Sequence, residues 1–98
     1  IPKEHAANVF EMSEEVASHL FSVAPKIANA INKTFNPVGM NLLNNNGEAA
    51  GQSVFHFHLH FIPRYDETDG FKATWNTKQD EFTPAILAEL SEKIKANL

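Results

Sequence analysis

The chain of 98 residues contains no cysteine, so its own residues can build neither a disulfide framework nor a thiolate metal site. Basic residues are scarce as well. Eight Lys and Arg stand against twelve Asp and Glu, for a formal net charge of -4, and such a chain has no broad cationic surface to hold a nucleic-acid backbone. A nucleic-acid polymer is therefore not an expected partner. No apolar run approaches the roughly 20 residues of a membrane-spanning helix, nor does a charged-then-apolar leader open the sequence, so a soluble protein with no membrane partner is expected. No segment repeats at a period of 20 to 50 residues or falls to low complexity, which sets aside solenoids and modules joined by linkers.

What is present suits one small domain. The chain is 43% hydrophobic with eight Phe, enough for a single core but not for two. Ser13-Glu14-Glu15 starts a helix, with Ser13 as cap and the two carboxylates at the positive end of the dipole. Val16, Leu20, Val23, Ile27 and Ile31 supply a stripe that faces a core. Pro25 removes a backbone donor within it and predicts a kink or a break, and Asn36-Pro37 ends it. Val38 to Leu43 reads as a strand, Asn44-Asn45-Asn46-Gly47 as its exit into a loop, and Val54 to Ile62 as a second strand, antiparallel to the first. Pro63 to Thr83 reads as irregular, with room for a short strand. Thr83-Pro84 opens a closing amphipathic helix marked by Ile86, Leu87, Leu90, Ile94 and Leu98. The order helix, hairpin, loop, helix defines an α+β class.

The second strand carries the chemistry. Side chains alternate faces along a strand, so Phe55, Phe57, Leu59 and Phe61 take one face and His56, His58 and His60 the other. A lone histidine such as His19 is ordinarily a surface or satisfied core residue and is given no role. Three at strict alternation differ, because each buried ring without a partner costs a few kcal/mol. Two chemistries can use such a row. Neighbouring rings can chelate one ion, but the outer pair lie about 13 Å apart at a strand rise of about 3.3 Å per residue, so one ion does not take all three. Alternatively, the central ring attacks phosphorus while its other nitrogen donates to a nearby carbonyl, and flanking rings bind charged oxygens. Gly47 and Gly51 permit close backbone approach, and Gln52-Ser53 add polar groups beside the row; together they favour an anion cradle and the second chemistry.

Gly51-Gln52-Ser53-Val54-Phe55-His56-Phe57-His58-Leu59-His60-Phe61-Ile62 resembles the signature of the histidine-triad (HIT) family, His-φ-His-φ-His-φ-φ with φ apolar, at every motif position from His56 to Ile62. Ile1-Pro2-Lys3-Glu4-His5 is similar to the end of the preceding strand in that family, and Asn44 to Gly47 to its phosphate-side loop. The resemblance spans residues 1 to about 65. It implies a HIT-like α+β fold, with a long helix packed on an antiparallel sheet and a C-terminal helix, and a homodimer that binds purine nucleotides such as AMP or GMP. His58 would be the nucleophile and form a nucleotidyl-histidine intermediate, its other ring nitrogen donating to the His56 carbonyl. His60 and Gln52 would contact the phosphate, Ser53 the phosphate or the leaving group, and Asn45 the phosphate side of the pocket, with His5 in the supporting imidazole network. No cofactor is required for that chemistry. A structural zinc is implied only conditionally, on His5 and His56 with two cysteines upstream of Ile1.

Residues 1–98 are thus expected to form one HIT domain lacking its N-terminal strands, with some 40 residues to come before Ile1 by family length. The base pocket, shaped by those strands, is unreadable here. The expected function is hydrolysis at the α-phosphorus of a purine nucleotide, as a phosphoramidase or nucleotidyl hydrolase in the cytoplasm. A regulatory or scaffold protein that binds nucleotide and turns it over slowly is the alternative. A zinc protein without nucleotide chemistry would not need Gln52-Ser53 beside the row.

Overall fold

The computed structural model describes all residues, 1–98. Helix α1 (Glu14–Phe35) starts where the Ser13 hydroxyl accepts the Val16 N–H at 3.2 Å, with Glu14 and Glu15 in its first turn. It stops where Asn36 turns left-handed, at φ 48° and ψ 48°, and Pro37 follows. Of the kink or break expected at Pro25, the break does not occur: the helix runs through it as one element. Phe21, whose carbonyl loses its amide partner to the proline, is 56% exposed, so water can serve that oxygen. The Asn29 side-chain amide donates to the Pro25 carbonyl at 2.8 Å, supporting the turn that follows.

Strand β1 (Gly39–Leu43) pairs antiparallel with β2 (His60–Arg64), from Gly39 opposite Arg64 to Leu43 opposite His60. The Val38 N–H extends the ladder to the Arg64 carbonyl at 2.9 Å. Pro63 sits opposite Met40 inside β2, although a proline there would remove a ladder donor if its nitrogen faced β1. It does not. Arg64 uses its carbonyl toward β1, and successive residues alternate, so the nitrogen of Pro63 faces the other edge. The strand expected over 54–62 is therefore shifted. Residues 54–59 lie outside any strand, because β1 ends at Leu43 and offers them no backbone partner.

Helix α1 packs on β2, and its stripe of Val16, Leu20, Val23 and Ile31 is half-buried, while Ile27 remains exposed. Between α1, residues 1–4, Leu59 and Phe61 lies a largely apolar cavity of about 500 Å³. Ala6, Ala24, Phe57 and Gln52 are the fully buried residues; Phe55, expected in the core, is half exposed. Phe57 is held there by its backbone, its N–H donating to the Ala6 carbonyl at 2.7 Å. Gln52 is unusual as a buried polar group, and every part of its amide is used. Its Nε2 donates to the carbonyls of Ala7 (2.6 Å) and Val54 (3.1 Å), and its Oε1 accepts the Gly47 N–H at 2.7 Å. One side chain thereby ties the N-terminal segment, the loop after β1 and the histidine segment together.

Beyond Arg64 the chain leaves the body. Arg64 donates to Asn41 at 2.9 Å and to Asp69 at 3.3 Å, and its guanidinium lies 4.6 Å from the centre of the Phe71 ring. The Tyr65 N–H donates to the other Asp69 oxygen, which closes a turn over 65–69. Within it the Thr68 hydroxyl and N–H both donate to Asp66 and hold its carboxyl below the usual range. No strand forms between Tyr65 and Thr83; a short 3-10 turn, Gln79–Glu81, is the only element there. Helix α2 (Pro84–Lys95) opens on Thr83, as its cap and proline predict, and ends three residues before Leu98. Its apolar stripe is not buried: every residue from Tyr65 to Leu98 is exposed.

A glutamine that joins three segments has a measurable signature. Gln52→Ala removes three hydrogen bonds, to the carbonyls of Ala7 and Val54 and from the Gly47 N–H, and empties a buried position, and is expected to lower stability by about 2 kcal/mol. Neighbouring Ser53→Ala, at an exposed hydroxyl, is expected to stay within about 0.5 kcal/mol. Urea denaturation of the intact protein compares the two; equal midpoints would show that Gln52 is not a structural tie.

Candidate active site

Histidine at alternate positions of an extended segment puts rings on one side, and the fold divides the row into two pairs. His58 and His60 stand together, their ring centres 4.9 Å apart and their planes at 89°. His56 is paired instead with His5, ring centres 5.1 Å apart and Nδ1 to Nδ1 at 2.9 Å. His5 arrives from the N-terminal segment, held beside the histidine segment by the bond from Phe57 to Ala6.

The ring of His58 has its proton fixed by a local contact. Its Nδ1 lies 2.8 Å from the His56 carbonyl oxygen, which can only accept, so Nδ1 carries the hydrogen and Nε2 keeps a free lone pair in the neutral ring. The spacing of two residues between His56 and His58 is what brings that carbonyl within reach. His56 is treated differently. Its Nε2 faces the Pro2 carbonyl at 3.1 Å and must donate there, which leaves Nδ1 to accept from His5 in the neutral state. Both nitrogens of His56 are thus engaged, whereas the exposed His60 has no hydrogen-bonded partner on its ring and is free to meet a ligand.

Gly47 (φ 90°) and Gly51 (φ 87°) adopt backbone that side chains disfavour, and the Asn45 amide lies over Gly51, 3.7 Å from where a Cβ would stand. Asn45 makes no side-chain hydrogen bond within the chain, and Ser53 is exposed with a free hydroxyl, so both remain open to a ligand. Gln52 does not. The phosphate contact expected of it is corrected by its burial: donors and acceptor are all committed to backbone.

Two polar side chains escaped the reading of the sequence. Asn44 donates to the His58 carbonyl at 2.9 Å, and Asn46 donates to Asn44 while accepting the Val9 N–H at 2.9 Å. Three consecutive asparagines after a strand read as a turn, and no pattern in the sequence says which of them faces inward.

His5 and His56 present their Nδ1 atoms to one another, and the His56 Nε2–H bond to Pro2 fixes the tautomer that a metal would require. These two nitrogens fit half of a tetrahedral zinc set. No cluster of three or more His, Cys, Asp or Glu side chains exists in the chain to complete it.

Comparisons with known proteins give the family. A HIT family protein from Bacillus anthracis superposes with a TM-score of 0.94 at 58% identity, covering all of this chain and 70% of that one. The Bacillus subtilis protein named Protein hit is 52% identical over 98 residues, the whole of this chain and 68% of its own length. Adenosine 5'-monophosphoramidase hnt1 of Schizosaccharomyces pombe is 38% identical over 97 residues, 97% of this chain and 70% of that protein. The HIT domain matches residues 1–67, a span that contains His5, the asparagine loop and all of the histidine row. With its mixed helix and small antiparallel sheet shared with solved members, this chain belongs to the HIT domain family.

Proposed function

We propose that the protein hydrolyses a phosphoramidate or phosphoanhydride bond at the α-phosphorus of a purine nucleotide, through a covalent intermediate on His58. The observation that carries this reading is the contact of His58 Nδ1 with the His56 carbonyl, which leaves Nε2 as a lone pair at a site open to ligand. The likeness to an adenosine 5'-monophosphoramidase supports the same class of substrate.

In the first step Nε2 of His58 bonds to phosphorus as the bond from phosphorus to the leaving group breaks. The ring becomes a cation, and Nδ1–H stays on the His56 carbonyl, which stabilises that charge. His60, beside His58, and Asn45, over Gly51, bind the phosphoryl oxygens, and the Ser53 hydroxyl meets the phosphate or the leaving group, which takes up a proton from solvent. In the second step water attacks phosphorus and releases a proton to solvent, the P–Nε2 bond breaks with its electron pair returning to Nε2, and the nucleotide leaves with the neutral ring restored. Each displacement has a lower barrier than the single one it replaces.

The reading extends to assembly and metal. Two copies form a homodimer, supported by an apolar helix α2 that finds no cover on its own chain. His5 and His56 would hold a structural zinc, with two further ligands from outside these residues; such an ion fixes the row and takes no part in the displacement. A cytoplasmic location goes with a free nucleotide as substrate. No helix is long and apolar enough to cross a membrane.

His58→Ala in the intact protein is expected to reduce AMP release from an adenosine phosphoramidate by at least about a thousandfold while AMP still binds. Full turnover by the variant would remove the covalent mechanism, and a wild-type protein that binds without turnover would point to a regulatory role. For the metal, elemental analysis of the intact protein is expected to find one zinc per chain, lost in His5→Ala with a fall in melting temperature. Metal content unchanged by that substitution would place any ion elsewhere.

A further inference from the structure

Resting on the reading of His58 as nucleophile, we infer that Asn44 is a positioning residue for that histidine, standing in with its side chain for a strand partner that the sheet does not provide.

The case begins with a gap in the ladder. Pairing of β1 with β2 ends at Leu43 and His60, yet the carbonyl of His58 points the same way as those of His60 and Arg64, toward β1. Continuing the register would set His58 opposite Asn45 and supply a backbone donor. The chain instead turns into the loop, and the Asn44 side chain donates to the His58 carbonyl at 2.9 Å.

The direction of that amide is fixed from the far end. A backbone N–H can only donate, so the Val9 N–H must meet Oδ1 of Asn46. Nδ2 of Asn46 then faces Oδ1 of Asn44, and Nδ2 of Asn44 is left for His58. The relay runs from the segment before α1, through the loop, to the peptide that follows the nucleophile. On the opposite edge the Phe57 N–H is held by Ala6. The His56–Phe57 peptide and the His58–Leu59 peptide are therefore held from opposite edges, and the ring sits between them on a backbone from which Nδ1 reaches the His56 carbonyl.

Loosening Asn44 should let His58 drift while the phosphate-binding groups stay in place. In the intact protein, Asn44→Asp keeps an acceptor for Asn46 but removes the donor, and Asn44→Leu removes both. Each is expected to lower kcat for AMP release by about 10- to 100-fold, the range for a small misplacement of a reacting group, with KM within about twofold. Nitrogen-15 spectra of the imidazoles are expected to show the His58 proton shared between Nδ1 and Nε2, where the parent holds it at Nδ1. Ser13→Ala, which weakens the cap of α1 at a distance from the row, is expected to lose stability without either change. Asn46→Asp, which leaves Asn44 itself intact, is the second arm should the Asn44 variants fold poorly, and is expected to give the same signature more weakly.

Unchanged kcat and a single His58 tautomer in folded variants would overturn the inference. So would a fall in kcat no larger than that of a Ser13→Ala protein of equal stability. If His58→Ala itself retains turnover, the nucleophile reading fails, and the tautomer spectrum still decides whether Asn44 orders the ring.

Discussion

A segment that outruns its strand partner must find other hydrogen-bonding groups, and residues 54–59 are in that position. They find them in single contacts from three directions: Ala6 from the N-terminal segment, the Gln52 amide from below, and the Asn44 amide from the loop. A continuous ladder would also have satisfied these groups, but it would have filled the edge with a neighbouring strand. Side-chain amides do the same work from a distance and leave a loop with two glycines at positive φ beside the histidines. Rigid backbone and open space are otherwise hard to combine.

The division of the row follows from this arrangement. His56 turns to His5 and Pro2 because the N-terminal segment lies on that side, held by Phe57. His58 and His60 lie next to the loop and keep nitrogen atoms for a ligand. Thus one motif serves two purposes, with its first histidine fastening the segment and the other two facing outward.

Much of this was legible in the sequence. Both helix starts could be read from Ser13 and Thr83-Pro84, since caps act within one turn. The apolar and polar alternation marked the histidine segment, although only its end from His60 is strand, and the motif gave the family. The misreadings share a cause: each depended on what lay across from the residue. Pro25 does not break its helix because the carbonyl it orphans is solvated. Pro63 belongs to a strand because its nitrogen faces away from β1. Gln52 reads as a ligand and proves to be buried, and Asn44 reads as a turn residue and reaches the His58 carbonyl, because neither burial nor direction is written in local pattern. The exposure of α2 is likewise invisible to periodicity, which reports an apolar face but not whether anything covers it.

Pro63 also has a bearing on how this sheet can grow. The edge of β2 away from β1 offers the amide of Phe61, but at Pro63 there is no hydrogen to donate. Any strand laid along that edge, whether native neighbour or stray chain, can register on the histidine side of the proline and loses its grip past it. The imino ring thus acts as a stop for lateral pairing, shielding the turn where Arg64 gathers Asn41, Asp69 and Phe71 from recruitment into a longer sheet.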